Sequence, residues 1–241
     1  QIAENLTRSG VKDIPKVCPV CGGETKISME NETKTLYCTN PKCQAKHVKS
    51  FALFVSRDAM NIEGLSEETL KKFTEQGFIE TYTDLYSLGE HEEEIKEMDG
   101  FGDKSFDNLM ASLEKSKHRP MANFIYALGI NHVGLSNAKL LCSALGYDIE
   151  KIMSATEEEL AEIDGFGSVI AHSVHSYFAN EKNKALMEKT LKIVEFTPEE
   201  TVSEEEKTMA DLTFVITGDV EKFKNRKELQ AEIERLGGKV T

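Results

Sequence analysis

Between residues 55 and 180 apolar side chains recur at helical spacing in short stretches broken by glycine. Phe106, Leu109, Met110 and Leu113 stand at i, i+3, i+4 and i+7, which puts them on one face of a helix. Ile95 and Met98 stand three apart just before them, inside the polar stretch Glu-Glu-Glu-Ile-Lys-Glu-Met. Ile170, Val174, Tyr177 and Phe178 repeat the arrangement after the acidic stretch that begins at Ser154, where Ser154 and Glu157 have the spacing of a capping box. In both places the two helical stretches are joined by Asp-Gly-Phe-Gly, at Asp99–Gly102 and Asp164–Gly167. The pattern predicts helix, tight bend, helix. Two weaker copies follow the same plan. One has Gly64, then Ser66 where a second glycine would fall, then Leu70 and Phe73. The other has His132 in place of the first glycine, then Val133, Gly134, Ala138, Leu141 and Leu145. These are four copies of one supersecondary unit.

The ends of the chain have a different rhythm. Residues 24–38 alternate well enough for a β-hairpin, with Ile27 and Met29 before Glu-Asn-Glu-Thr and Leu36 after it. An acidic polar stretch at 197–207 reads as a linker. Beyond it Thr213–Thr217 reads as a strand ending in Thr-Gly, followed by an amphipathic helix with Leu229, Ile233 and Leu236 that Gly237-Gly238 stops. The expected fold is mainly α, with a small α/β beginning at the end. At 241 residues, two or three units are expected rather than one. The chain opens on Gln1 and closes as a second strand begins, so a piece of a longer polypeptide is expected.

Net charge is −13, which by itself argues against a nucleic-acid partner. The charge is uneven, however. Residues 1–60 hold nine basic against six acidic side chains, whereas residues 121–180 hold two against seven. Any contact with a phosphodiester in the acidic middle must therefore use something other than lysine and arginine. No apolar run approaches the ~18 residues of a membrane helix, and no export signal is recognisable.

Four of the five cysteines, Cys18, Cys21, Cys38 and Cys43, fall in the pattern C-x2-C, sixteen residues, C-x4-C. Without an export signal a reducing compartment is expected, which favours a metal site over disulfides. The C-x2-C turn lets two thiolates converge on one ion, with amides donating to the sulfurs and Gly22-Gly23 allowing the knuckle, and the C-x4-C pair can supply the other two. An all-sulfur tetrahedral set is a structural zinc signature with no open position for catalysis. Unliganded reducing turns are the alternative. His47 is either a surface residue or a competing ligand.

The Gly-Phe-Gly bends carry their own chemistry. The residue between the glycines plugs the bend into the core, and the second helix starts there with free amides and the positive end of its dipole. That is an anion site for which phosphate is the natural occupant, unless each bend is no more than a tight turn between packed helices. The candidate residues are Gly64, Gly100, Gly102, Lys104, His132, Gly134, Gly165, Gly167 and Ser168, with most weight on the second and fourth copies. Such contacts position a duplex without reading its bases. No Ser/His/Asp or Cys/His constellation stands out: Cys142 reads as core, and His118, His172 and His175 have no evident acidic partner.

Together the four-cysteine finger, the four hairpins and the terminal strand–Thr-Gly–helix–Gly-Gly pattern resemble the non-catalytic half of bacterial NAD-dependent DNA ligase. The resemblance implies the end of an oligonucleotide-binding barrel over 1–14, a zinc finger over 15–50, a helix-hairpin-helix domain over 51–195, a linker over 196–208 and the start of a BRCT domain over 209–241. It places Thr217 and Gly218 where some BRCT domains hold phosphate, although a plain strand-end turn is the preferred reading. Implied partners are nicked duplex DNA and the adenylation and oligonucleotide-binding domains of the same protein, with no membrane. Implied cofactors are zinc here, and NAD and magnesium in the absent catalytic half. The implied setting is the bacterial cytoplasm, on the nucleoid, in replication and repair. The family's Lys-x-Asp-Gly adenylation motif is missing, since Lys96 to Gly100 has one residue too many. This portion is therefore expected to be inactive alone. A zinc-stabilised protein-docking scaffold and a tandem-hairpin module of another repair protein are the rival classes.

Overall fold

The computed structural model describes residues 14–30, 33–198, 208–209, 212–218, 220, 222–223 and 225–240. Residues 1–13 of the expected barrel end (1–14) and 199–207 of the expected linker (196–208) lie outside the described residues. The chain divides into two compact units, Gln1–Thr197 and Pro198–Thr241.

The first unit begins with an antiparallel pair, β1 (Thr25–Glu30) and β2 (Thr33–Cys38), in which Ile27 faces Leu36. Helix α1 (Gln44–Val55) starts directly at Cys43 and sends Val48, Phe51, Phe54 and Val55 into the main core. It runs across the expected finger–hairpin boundary at 50/51, so the cysteine cluster and the helical body share one rigid rod.

A run of helices then follows, with those predicted around the four bends among them. They are α2 (Glu67–Glu75), a 3-10 segment (Tyr82–His91), α3 (Glu92–Lys96), α4 (Asp103–Ser116), α5 (Met121–Ala127), α6 (Leu135–Ala144), α7 (Ile149–Ser154), α8 (Glu157–Ala161), α9 (Ser168–Ala179) and α10 (Glu181–Thr190). Apolar positions read from spacing lie in the core: Leu70, Phe73, Ile95, Leu109, Ala138, Leu141, Cys142 and Val174 are all fully buried. The Phe54 ring stacks on Tyr82 with centroids 4.4 Å apart, joining α1 to the 3-10 segment. Strands β3 (His118–Pro120) and β4 (Glu195–Thr197) pair in parallel and tie the end of this unit back to its middle.

One local expectation is corrected. Ser154 does not open a capping box; it ends α7, and its hydroxyl donates to the Glu150 carbonyl at 2.7 Å. The box lies two residues later. The Glu159 amide donates to Thr156 Oγ1 at 3.2 Å, and the Thr156 amide donates to Glu159 Oε2 at 2.9 Å. The same S/T-x-x-E spacing occurs at both places, and the two-residue break at Ala155–Thr156 decides between them.

In the second unit β5 (Thr213–Phe214) pairs in parallel with β6 (Lys239–Val240), and α11 (Arg226–Arg235) connects them. The strand is shorter than the expected Thr213–Thr217. Gly218 takes a left-handed turn at φ +75°, and its carbonyl accepts from Arg226 Nε at 2.8 Å. Gly238 is required by packing, because a Cβ there would come within 2.8 Å of both Ile233 and Phe214.

Candidate nucleic-acid interface and metal centre

The four bends share one backbone. Gly64, Gly100 and Gly165 have φ of +89°, +87° and +83°, and His132 takes the same left-handed region at +64°. His132 is therefore the true counterpart of the first glycine. Its carbonyl accepts from Asn137 Nδ2 at 2.9 Å, which helps hold a conformation that costs a non-glycine residue energy. The residue after each is the plug: Val133 and Phe166 are 5% and 4% exposed, while Leu65 and Phe101 are partly buried against the core. In three copies the plug's amide closes the turn, as Phe101 donates to the Met98 carbonyl and Phe166 to that of Ile163, both at 2.9 Å, and Val133 to that of Ile130 at 3.1 Å.

The next position starts the second helix. Ser66, Gly102, Gly134 and Gly167 are the N-caps of α2, α4, α6 and α9. Here the copies divide. The Ser66 hydroxyl accepts from the Thr69 amide at 3.1 Å, so the first copy caps itself. The three glycines offer no side-chain cap, and the first-turn amides of α4 and α6, with those of Ser168 and Val169 in α9, are left to an outside acceptor, while the Ile170 amide donates to the Gly167 carbonyl at 3.0 Å.

Nothing in the fold asks for glycine at these three caps. Their φ values are −168°, −78° and −77°, which any residue adopts, and an added Cβ would meet nothing within 4 Å. The space is kept open on the outer side. Copies one and three, given less weight from the sequence, thus part company: copy three has the same open cap as copies two and four.

The bends are also brought together. Gly64 lies against Leu109 of α4, the Glu63 amide donates to Ser112 Oγ at 2.7 Å, and Gly165 lies against Leu140 of α6. Copy one is thus joined to copy two, and copy three to copy four. A groove of about 650 Å³ runs between the first two bends, lined by Gly64, Gly100, Ser105, Asn108 and Lys115 among others. Lys104 has no ion-pair partner among the described residues. Nearby Lys96 is held by Glu92 at 2.6 Å and Asp103 at 3.0 Å, hydrogen bonds that raise its ammonium pKa above the ordinary lysine range. Lys96 belongs to α3, as its place before a bend requires.

Two histidines do have acidic neighbours that sequence reading missed. His172 Nδ1 lies 3.0 Å from Glu157 Oε2 and its Nε2 3.3 Å from Ser176 Oγ, linking α9 to the start of α8. His118 Nδ1 lies 3.5 Å from Glu195 across the β3–β4 pair. The fifteen residues from Glu157 to His172 span the bend, so only the hairpin's closure brings the two together. His175 Nδ1 is 3.2 Å from the Ala155 carbonyl.

At the cysteine cluster the four Sγ atoms lie within 4.8 Å of one another. Cys21 and Cys38 are 3.5 Å apart, and Cys18 and Cys43 4.0 Å. Thiolates bound at ~2.3 Å around a tetrahedral ion would be about 3.8 Å apart, so the set fits one metal ion. The knuckle forms as expected: Gly22 takes φ +69° and the Gly23 amide donates to Cys21 Sγ at 3.4 Å. That bond, with help from Asn40, lowers the Cys21 thiol to about 6, while burial pushes Cys38 up to about 12. His47 is not a ligand. Its Nε2 lies 2.8 Å from the Glu80 carbonyl and its ring packs on Phe51, so it joins α1 to the helical body.

A family profile for the helix-hairpin-helix motif matches residues 123–187, the third and fourth copies. Proteins named DNA ligase match the chain at greater length. That of Lachnoclostridium phytofermentans is 53% identical over all 241 residues, and that of Ruminiclostridium cellulolyticum 48% over the same span. That of Thermomicrobium roseum is 39% identical over 232 residues, 95% of the chain. The chain spans 37%, 36% and 32% of these relatives' own lengths. The chain is similar from end to end to one stretch of these longer proteins named DNA ligase, and it is built of the hairpins just described.

Proposed function

We propose that this chain is the portion of an NAD-dependent DNA ligase that holds nicked duplex DNA while the rest of the protein seals it. The observation that carries this is the set of three helix starts at Gly102, Gly134 and Gly167, each uncapped and each glycine where the fold has no use for glycine. A phosphate can approach such a start closely, accept from the first-turn amides and meet the positive end of the helix dipole. Neutral amides also answer the charge problem, since they bind an anion without making the acidic middle basic.

Gly100, Gly165 and His132 shape the bends, Gly64 places the self-capped first bend, and Lys104 and Ser168 add a cation and a hydroxyl beside open caps. Zinc held by Cys18, Cys21, Cys38 and Cys43 would fix the finger on α1 and supply no reaction step. Adenylation by NAD, with magnesium, belongs to the absent catalytic half, and residues 209–241 to the start of a BRCT domain. The setting is the bacterial cytoplasm. Consistent with this, no helix among the described residues is long and apolar enough to cross a membrane.

The test is a titration of nicked duplex at two salt concentrations with Gly102→Val and Gly167→Val. Each variant should bind about tenfold more weakly, with no change between unrelated duplex sequences. Affinity equal to that of the parent in both variants would remove the bends from the DNA site and favour protein docking.

A further inference from the structure

We propose that the finger adds a phosphate contact of its own, in the groove between its β-hairpin and the third bend, and that this groove takes the sugar–phosphate backbone of the same duplex. The inference rests on the hairpins binding DNA, and adds a site to them. The groove has a volume of about 590 Å³ and is lined by Ser28, Thr35, Tyr37, Lys46, Asn131 and His132. In a chain with 42 acidic and 29 basic side chains, none of its lining residues is a carboxylate.

The strand register explains why. Ser28 pairs with Thr35 and Lys26 with Tyr37, and alternate residues of a strand face opposite sides. All four therefore share one face, while Ile27, Met29 and Leu36 share the other. The polar face is the one that lines the groove. It presents three hydroxyls, which donate to phosphate oxygens as readily as to water.

Lys46 supplies the charge. Its Nζ donates to the Cys38 carbonyl at 3.2 Å, which uses one of its three protons and points the ammonium from the metal-binding end of the finger. Among the described residues it has no carboxylate within ion-pair distance. Lys49, Lys71, Lys72, Lys96, Lys117 and Lys151 all have one, so their charges are already met. Opposite Lys46 stand Asn131 and His132, both exposed, in the bend whose open cap is Gly134. One strand can thus lie on the α6 amides and continue into the groove. The finger's strand face and the third bend form a single donor-lined track.

The experiment uses the whole chain loaded with zinc, and nicked duplex DNA at several salt concentrations. Lys46→Gln and Thr35→Glu are compared with Gly102→Val. Both groove variants should lose about three- to tenfold in affinity at low salt, and Lys46→Gln should reduce the log K–log salt slope by about one. Zinc content equal to the parent's checks that the finger is intact, and Tyr37→Phe, which keeps the ring, should give a smaller loss. Parental affinity and slope in both groove variants, with Gly102→Val weakened, would overturn the groove and leave the hairpin site standing. Weakening by the groove variants alone would support the groove and remove the second bend from the site.

Discussion

At Gly100 the backbone sits at φ +87°, and at Gly102, two residues on, it is extended at φ −168°. Open space surrounds both. The same substitution should therefore have unequal consequences. Gly100→Ala forces a Cβ into the left-handed region and should cost on the order of 1–2 kcal/mol. Gly102→Ala should change stability by less than about 0.5 kcal/mol. Urea melts of the two variants check this, and equal destabilisation would mean that Gly102 serves the fold after all. The capping box at Thr156 behaves differently, because it responds to pH. Hydrogen bonds from the Thr156 amide and hydroxyl hold the exposed Glu159 carboxyl below the ordinary carboxylate range. A depressed folded value means that this contribution is fully present above the unfolded pKa of ~4.3 and is lost as pH falls through the folded one. Thr156→Ala should cost about 1 kcal/mol near neutrality, and the gap to the parent should narrow in acid. A gap that stays constant from neutral pH down to acid would remove Glu159 from the box.

The finger is an element without a core. Among its described residues before α1, only Cys18 and Cys43 are buried, while Val17, Val20, Ile27, Met29 and Leu36 are 41–65% exposed. Apolar burial cannot hold such a segment, so metal ligation must, at an apparent ~10 kcal/mol or more. Chelation should release the amides of β1 and β2 to fast hydrogen exchange while α4 and α9 stay protected. Protection of β2 that survives full metal removal would contradict this. Helix α1 should lose only its first turn, since Phe51 and Phe54 remain in the main core. The cysteine spacing made this element legible in the sequence, and helical periodicity did the same for the strong hairpins, because both are local patterns. His132 was harder to place. In sequence it looks like a departure from glycine, and only its φ shows that the bend is kept. The partners of His172 and His118 were illegible for another reason: Glu157 and Glu195 come near them only through tertiary closure. The difference between Ser66 and the three glycine caps was visible as letters. Its meaning, a helix start satisfied from within against three left open, required the hydrogen bonds.

Taken whole, the molecule carries net charge −13 and still offers open helix starts, which constrains how its affinity must depend on salt. A duplex held by many lysines releases one counterion for nearly every phosphate neutralised, and log K falls with log salt at about −0.9 per contact. Amide contacts bind phosphate oxygens while neutralising little charge, so they add affinity with less slope. Near the bends the cations without an ion pair among the described residues are few: Arg57, Lys104 and Lys115 beside the first two, and Lys46 in the finger groove. The slope should therefore be about −3 to −4, less steep than the number of protected phosphates would suggest. Footprinting on the phosphates together with a salt titration gives both numbers for the same complex. A slope that matches the full count of protected phosphates would mean that side-chain cations do the holding. The open caps at Gly102, Gly134 and Gly167 would then need another explanation.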